Sequence, residues 1–213
     1  MTHPRLLILG LATLAVAGCA GKRDLDENLG LKVARSTCPA VAIPAYTGDV
    51  SIFSPAQSQD ARALDVTATI TNLRTSCDET GPVVKANVTF DVVGQRANPR
   101  GARDVVLPYF ATVLRGGTHI MSKQLGQVQL HFDDGQLRGR GSAAASANVD
   151  KAAASLPPEV LAKINRKRKP GDADAAVDPM TEPSVRAAVN NATFELLVGF
   201  QLSQSQLAYN ATR

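Results

Sequence analysis

The chain has 213 residues, 44% of them hydrophobic, and carries a formal net charge of +4 at pH 7. This length is within the range of one domain and is enough for a substantial core. Aromatic residues make up 4% of the chain and Trp is absent, so we exclude nucleic acid as a partner, since its bases would have little to stack on.

The first 18 residues have the composition of a secretory signal peptide. Arg5 supplies a positive charge, and residues 6–17 form an apolar stretch that is too short to span a bilayer. The stretch ends in the sequence LAVAGC, in which small residues precede a single cysteine, Cys19. This arrangement resembles the lipobox of bacterial lipoproteins.

The lipobox resemblance implies that Cys19 is the lipidated first residue of the mature protein. Cleavage would follow Gly18, a diacylglycerol would join the Cys19 sulfur, and the freed amino group would be acylated. Two or three acyl chains are enough for stable membrane anchoring. Ala20 comes next, whereas an Asp there would resemble the inner-membrane retention signal, so we expect an outer-membrane lipoprotein whose domain faces the periplasm.

Residues 19–37 are interpreted as a tether between the anchor and the domain. They are charged, contain glycine and lack a sustained apolar period. An alternative is a short helix lying on the membrane around Leu25, Leu29 and Leu31. The mature chain would have 195 residues and a net charge of about +3, which gives little indication of an anionic partner.

The chain has three cysteines, an odd number for an exported protein. With Cys19 committed to lipid, Cys38 and Cys77 remain as a pair in an oxidising compartment. Their spacing is not that of a redox C-x-x-C motif, and a zinc site would need further ligands. We therefore predict a Cys38–Cys77 disulfide.

From residue 38 onward, apolar and polar residues alternate in runs bounded by Gly, Pro, Asn and Asp, which is typical of β-strands. Residues 63–73 and 84–92 predict a hairpin with Cys77 near its tip. Further strands are predicted at 105–114, 120–124, 127–132 and 137–149. The last predicted strand, 192–202, is the most continuously apolar, so we expect it inside a sheet rather than at an edge.

These strands predict a mainly β fold, a single antiparallel β-sandwich of the immunoglobulin-like or fibronectin-like kind, over residues 38–213. A small barrel is the alternative. An insertion at about 151–190 holds a short helix that begins with two prolines and a surface excursion rich in Pro, Asp and Ala. Ser203 and Gln206 have capping-box spacing, which predicts a helical turn after the last strand.

The sequence shows no set of residues that points to catalysis, a metal or a cofactor. The two histidines of the mature chain, His119 and His131, lie on different predicted strands without Cys or carboxylate at ligand spacing. Neither a G-x-S-x-G elbow nor an S-x-x-K pair is present. We therefore expect a protein that is not an enzyme and needs no metal or cofactor.

One basic cluster stands out at the end of the predicted helix in the insertion. It has two interpretations: a solvated helix end, or a contact with anionic lipid headgroups or an acidic partner. Its four residues are Arg166, Lys167, Arg168 and Lys169.

Several segments of the mature chain resemble an uncharacterised family of alphaproteobacterial outer-membrane lipoproteins. They are Cys38-Pro39, the sequence LPYF at 107–110, VGFQL at 198–202 and QLAYN at 206–210. The resemblance implies one exported domain and no established activity. We expect a non-catalytic periplasmic interaction or structural module with an envelope protein as partner, such as an accessory subunit of an envelope assembly complex. The alternative is a module that binds envelope lipid or glycan.

Overall fold

The structure, a computed structural model, describes residues 35–166 and 168–212, and strands predominate in this part of the chain. Contacts group Thr37–Arg213 as one compact unit. The strands are β1 Ala40–Ala42, β2 Asp49–Phe53, β3 Leu64–Asp78, β4 Val83–Arg96, β5 Arg103–Arg115, β6 His119–Phe132, β7 Arg138–Asp150 and β8 Phe194–Phe200. The helices are α1 Pro158–Ile164, α2 Pro183–Asn191 and α3 Gln204–Thr212.

All eight strands belong to one sheet in the order β1-β8-β5-β6-β7-β4-β3-β2. β1 and β8 are parallel, and the other neighbours are antiparallel. The predicted mainly β class is confirmed, and the sheet curls into half a barrel. The immunoglobulin-like or fibronectin-like sandwich is not confirmed, because alternation tells which face of a strand is buried and not whether that face meets a second sheet.

The link between β1 and β2 connects the two ends of the strand order. The Phe200 amide of β8 donates a hydrogen bond to the Thr47 carbonyl at 2.8 Å. The Ile70 amide of β3 donates to the neighbouring Gly48 carbonyl, also at 2.8 Å. The chain at 47–48 therefore bridges one half of the curled sheet to the other.

The predicted Cys38–Cys77 disulfide is confirmed, with the two Cα atoms 6.2 Å apart. Cys38 lies just before β1 at one edge of the sheet, and Cys77 lies in β3 beside the opposite edge strand. Next to the bridge, the Thr37 amide and hydroxyl both donate to the Glu79 carboxylate, at 3.0 and 2.7 Å. A covalent bond and two hydrogen bonds thus hold the first residues of the compact unit against the β3–β4 turn.

The core lies on the inner face of the curl and draws on strands β2 to β8. Because successive side chains of a strand point to opposite faces, alternate residues of each strand are inside. The largest fully buried apolar side chains are Phe90, Phe132, Phe200, Leu130 and Leu196.

The sheet opens between β6 and β7, where pairing is limited to one residue pair, His131 with Arg140. A tyrosine of β5 crosses the interior near this opening. The Tyr109 hydroxyl donates to the Ala144 carbonyl of β7 at 2.8 Å, and its ring meets Phe90 edge-on with centroids 5.2 Å apart. The opening is thus spanned by a side chain instead of a strand ladder.

Gly126 of β6 makes room for the Tyr109 ring, and a Cβ at this position would overlap it. Gly126→Ala is therefore expected to lower the free energy of unfolding by about 1–3 kcal/mol, the usual cost of overpacking. Urea denaturation measures the loss. Gly81→Ala is the control, because a Cβ at Gly81 meets nothing within 4 Å, and it should change stability by less than about 0.5 kcal/mol. Equal stability of the two variants would contradict this role of Gly126.

Helices α1 and α2 lie between β7 and β8, where the insertion was expected. They bury a small apolar cluster of their own around Leu156, Val160 and Val185. The Arg115 guanidinium of β5 donates to the Asn191 carbonyl at 2.6 Å and so fastens the end of α2 to the sheet. The described helices are all too short or too polar to cross a membrane.

The predicted capping box at the start of α3 is present. The Ser203 amide donates to the Gln206 side chain at 2.9 Å, and the Gln206 amide donates to the Ser203 hydroxyl at 3.2 Å. Near the other end of α3, the Asn210 side chain donates to the carbonyls of Tyr46 and Asp49, at 2.8 and 2.7 Å. This buried amide fixes α3 beside edge strand β2.

Candidate functional site

The residues predicted to carry function are spread over the molecule. Cys19, the predicted lipidation site, lies outside the described residues. Cys38 and Cys77 are joined to each other, as described above. The two histidines of the mature chain were predicted on different strands, but both lie on β6, His119 at its start and His131 near its end.

The basic cluster in the insertion forms ion pairs and a hydrogen bond with aspartates a few residues further along the chain. Arg166 lies 2.6 Å from the Asp174 carboxylate, and the Nε of Arg168 lies 3.5 Å from the same group. The Lys169 amide donates to Asp172 at 3.0 Å. Lys167 lies outside the described residues. Two of the four cations thus share one carboxylate, and contact of the cluster with an anionic surface stays a prediction.

Sequence reasoning missed the most buried charged side chain, Arg96, which is 2% exposed. Its guanidinium lies 5.4 Å from the centroid of the Phe132 ring. It donates four hydrogen bonds of 2.6–2.8 Å to backbone carbonyls, those of Pro99, Gly101, Asp133 and Gln136. Arg96 therefore organises both loops at this end of the sheet, 97–102 and 133–137.

Further polar contacts join the same two loops and the strands beside them. The Gly101 amide donates to Asp134 at 2.6 Å. Arg103 forms a two-pronged ion pair with Asp65, at 2.9 and 2.7 Å. The hydrogen bond from Arg103 lowers the pKa of Asp65 below its ordinary value. Charged side chains thus surround the buried guanidinium at this end of the sheet. We call this end, with Asp65, Arg103 and Asp134, the rim.

His131 lies on this rim between two carboxylates. Its Nδ1 is 2.6 Å from Asp104 and its Nε2 is 3.2 Å from Asp133. The hydrogen bond with Asp104 is the main reason why the pKa of His131 is raised, and Asp133 adds to the effect. The same hydrogen bond lowers the pKa of Asp104. Because each ring nitrogen faces a carboxylate, the imidazole is placed as an ion-pair partner.

The raised pKa of His131 predicts a pH-dependent contribution to stability. The folded state binds the proton more tightly, so the contribution is complete below the unfolded pKa of about 6.5 and is lost as pH rises through the folded pKa. Asp104→Asn should lower the pKa of His131, as measured by an NMR titration of its ring protons. Asp134→Asn is the control, since Asp134 contacts Gly101 instead. An unchanged His131 titration in Asp104→Asn would contradict the pairing.

A different surface lies at the far end of β6. Residues 119–125 are all exposed, on both faces of the strand, although β5 beside them is largely covered. Three of them are large and apolar: Ile120, Met121 and Leu125 are 67%, 56% and 68% exposed. Lys123 lies over the Phe110 ring at 5.4 Å. We call residues 119–127 of β6 the open edge.

A cleft of about 440 Å³ lies between α3 and the loop that follows β2. Its aromatic side is formed by Phe53 and Tyr209, whose rings meet edge-on with centroids 5.2 Å apart. Its polar side is formed by Gln57, Ser58, Gln59 and Gln206. This combination of aromatic and amide groups suits a polar ligand of modest size, such as a sugar.

Within residues 35–166 and 168–212, no group of three or more His, Cys, Asp and Glu side chains is arranged to hold a metal ion. No protein-family model matches the chain, and neither a curated protein nor a solved structure matches it. The resemblance to alphaproteobacterial lipoproteins therefore stays a prediction from the quoted segments.

Proposed function

We propose that the chain is a lipid-anchored, non-catalytic interaction module on the periplasmic side of the outer membrane. The observation that carries this proposal is the sequence LAVAGC, which ends at Cys19 behind a short apolar segment. The Cys38–Cys77 disulfide is consistent with it, because disulfides form and persist in oxidising compartments. The exposed apolar side chains of the open edge offer a surface for a partner.

The anchor is tested by Cys19→Ser in cells. The wild-type protein is expected in the outer-membrane fraction and with the added mass of its acyl chains. The variant is expected to lose that mass and to leave the membrane fraction, since no other acylated residue is proposed. Cys77→Ser is the control for loss of a cysteine and should remain acylated. A wild-type protein without acyl mass would overturn the anchor.

The interaction role requires a partner within reach of the membrane, in the proposal an envelope assembly complex. The test is mild crosslinking in cells, followed by capture of the tagged full chain from solubilised membranes. We expect the wild type to recover the same envelope protein in each experiment. Cys19→Ser should reduce that recovery, since it removes the protein from the membrane surface. Recovery of the tagged chain alone would count against the interaction role.

A second candidate function, binding of an envelope glycan, is favoured by the cleft beside α3. Tyr209 and the surrounding glutamines are the groups that would contact a sugar ring and its hydroxyls. N-acetylglucosamine oligosaccharides are the probe. Calorimetry measures the heat of their binding to the full chain in detergent. Gln57→Ala with Gln59→Ala should abolish the heat of binding, because both side chains line the cleft. Absence of binding to the wild type would remove this candidate.

A further inference from the structure

We propose that the open edge of β6 binds an extended, acidic peptide segment of a partner protein by β-strand addition. The inference deepens the proposed interaction role and rests on it for the existence of a partner. Its own basis is the geometry and charge of residues 119–127.

The backbone of the open edge has hydrogen-bonding capacity that the fold leaves unused. β5 pairs with one side of β6 along its length, from Arg103–Phe132 to Arg115–His119. In an antiparallel strand, about half of the backbone N–H and C=O groups point to each side. On the other side, β7 pairs with β6 only at His131, so the groups of 119–127 that face away from β5 meet no strand in the described part of the chain.

The two outermost strands of the sheet are short or covered, whereas the open edge is neither. β1 has three residues. β2 lies beside α3, where the Asn210 side chain donates hydrogen bonds to the carbonyls of Tyr46 and Asp49. Pro is absent from the open edge, and its single charged side chain is Lys123. Pro, charge and covering elements are the means by which proteins protect an edge from added strands. An edge that lacks most of them is able to receive a strand.

The charge of the open edge favours an acidic partner. Segment 115–132 contains no Asp or Glu. Lys123 is exposed on the open edge and has no ion pair within the described residues. On β7, Arg138 and Arg140 lie at the paired end of the opening, and Asp150 at its far end accepts hydrogen bonds from the Ala152 and Ala153 amides. A second copy of the chain would bring this basic edge against itself. An acidic strand would instead meet complementary charge.

Lipid is disfavoured as the occupant by the same backbone groups. Ile120 and Leu125 are apolar enough to contact acyl chains. Acyl chains, however, provide no hydrogen-bond partner for an unpaired strand edge. A peptide satisfies the backbone and also covers the apolar side chains, which is how strand addition achieves affinity.

The probe for this proposal is a fluorescent peptide with alternating Glu and Val residues, added to the full acylated chain in detergent micelles. We expect saturable binding. Lys123→Glu should weaken binding roughly tenfold or more and should allow binding of the matching Lys–Val peptide. Lys123→Gln should have an intermediate affinity, which guards against misfolding of the charge-reversed variant. Arg62→Glu is the control, because Arg62 is exposed in the turn before β3, away from the opening.

Hydrogen exchange of the wild type, read residue by residue, separates strand addition from simple charge attraction. The bound peptide should slow exchange at alternate amides of residues 119–127. Binding without this protection would overturn strand addition. So would failure of the peptide to bind while phosphatidylglycerol vesicles bind through Ile120 and Leu125, because the open edge would then be a lipid contact. The anchor and the crosslinked partner are measured separately, so failure of this site and failure of the proposed function are distinguishable.

Discussion

Replacement of both bridged cysteines, Cys38→Ser with Cys77→Ser, is expected to lower the free energy of unfolding by about 4 kcal/mol. The bridge links residues 39 positions apart, so its removal restores much conformational freedom to the unfolded chain. It also releases β1, which has three residues and pairs with β8 alone. Urea denaturation of the variant and the wild type measures the difference.

Two comparisons check the cause of this loss. Wild type unfolded in the presence of a reductant should lose the same stability as the double variant, because both lack the bridge. Cys19→Ser should unfold as the wild type does, since the predicted lipidated cysteine forms no part of the bridge. A loss in the double variant no larger than about 0.5 kcal/mol, the range of ordinary surface substitutions, would contradict the role given to the disulfide.

Arg96→Ala is expected to cost about 3–5 kcal/mol, which is the range of large single-residue effects. The substitution leaves four carbonyls without their donor, at Pro99, Gly101, Asp133 and Gln136. It also opens a cavity beside Phe132, on which the guanidinium packs. Urea denaturation gives the loss, and faster hydrogen exchange in both loops, 97–102 and 133–137, gives its location.

Matched variants separate the hydrogen bonds of Arg96 from its charge. Arg96→Lys keeps the charge, but an ammonium group has three donors and cannot match the four carbonyls, so its stability should lie between those of Arg96→Ala and wild type. Arg100→Ala removes an exposed arginine of the same loop and should change stability by less than about 0.5 kcal/mol. If Arg100→Ala were as destabilising as Arg96→Ala, the buried guanidinium would not be the organising group.

The strands were readable from sequence because alternation reports burial directly. In β4, every second residue from Val84 to Val92 is apolar and buried. The same alternation continues through Gly94 to Arg96, so it places this arginine inside the core. That phase was a signal for a buried, fully bonded arginine. The partners of its guanidinium were not readable, since two of the four carbonyls lie 37 and 40 positions away.

The pair formed by His131 and Asp104 is a second contact that only the fold reveals. The two residues are 27 positions apart, on neighbouring strands, and meet because β5 and β6 pair in a register that sets them opposite each other. Neither residue has a sequence context that indicates a titrating pair. The open edge was equally hidden, because the residue pattern of one strand does not record whether a neighbouring strand pairs with it.

The sequence by itself determined the mainly β class, the pairing of Cys38 with Cys77, the first helix of the insertion and the capping box of α3. Each of these depends on local periodicity, local hydrogen bonding or cysteine parity. Only the tertiary structure decided that the strands form one curled sheet and that β6 and β7 pair only at His131 and Arg140. Strand order and pairing arise from long-range contacts whose free energy depends on the whole core, and no local pattern in the sequence records them.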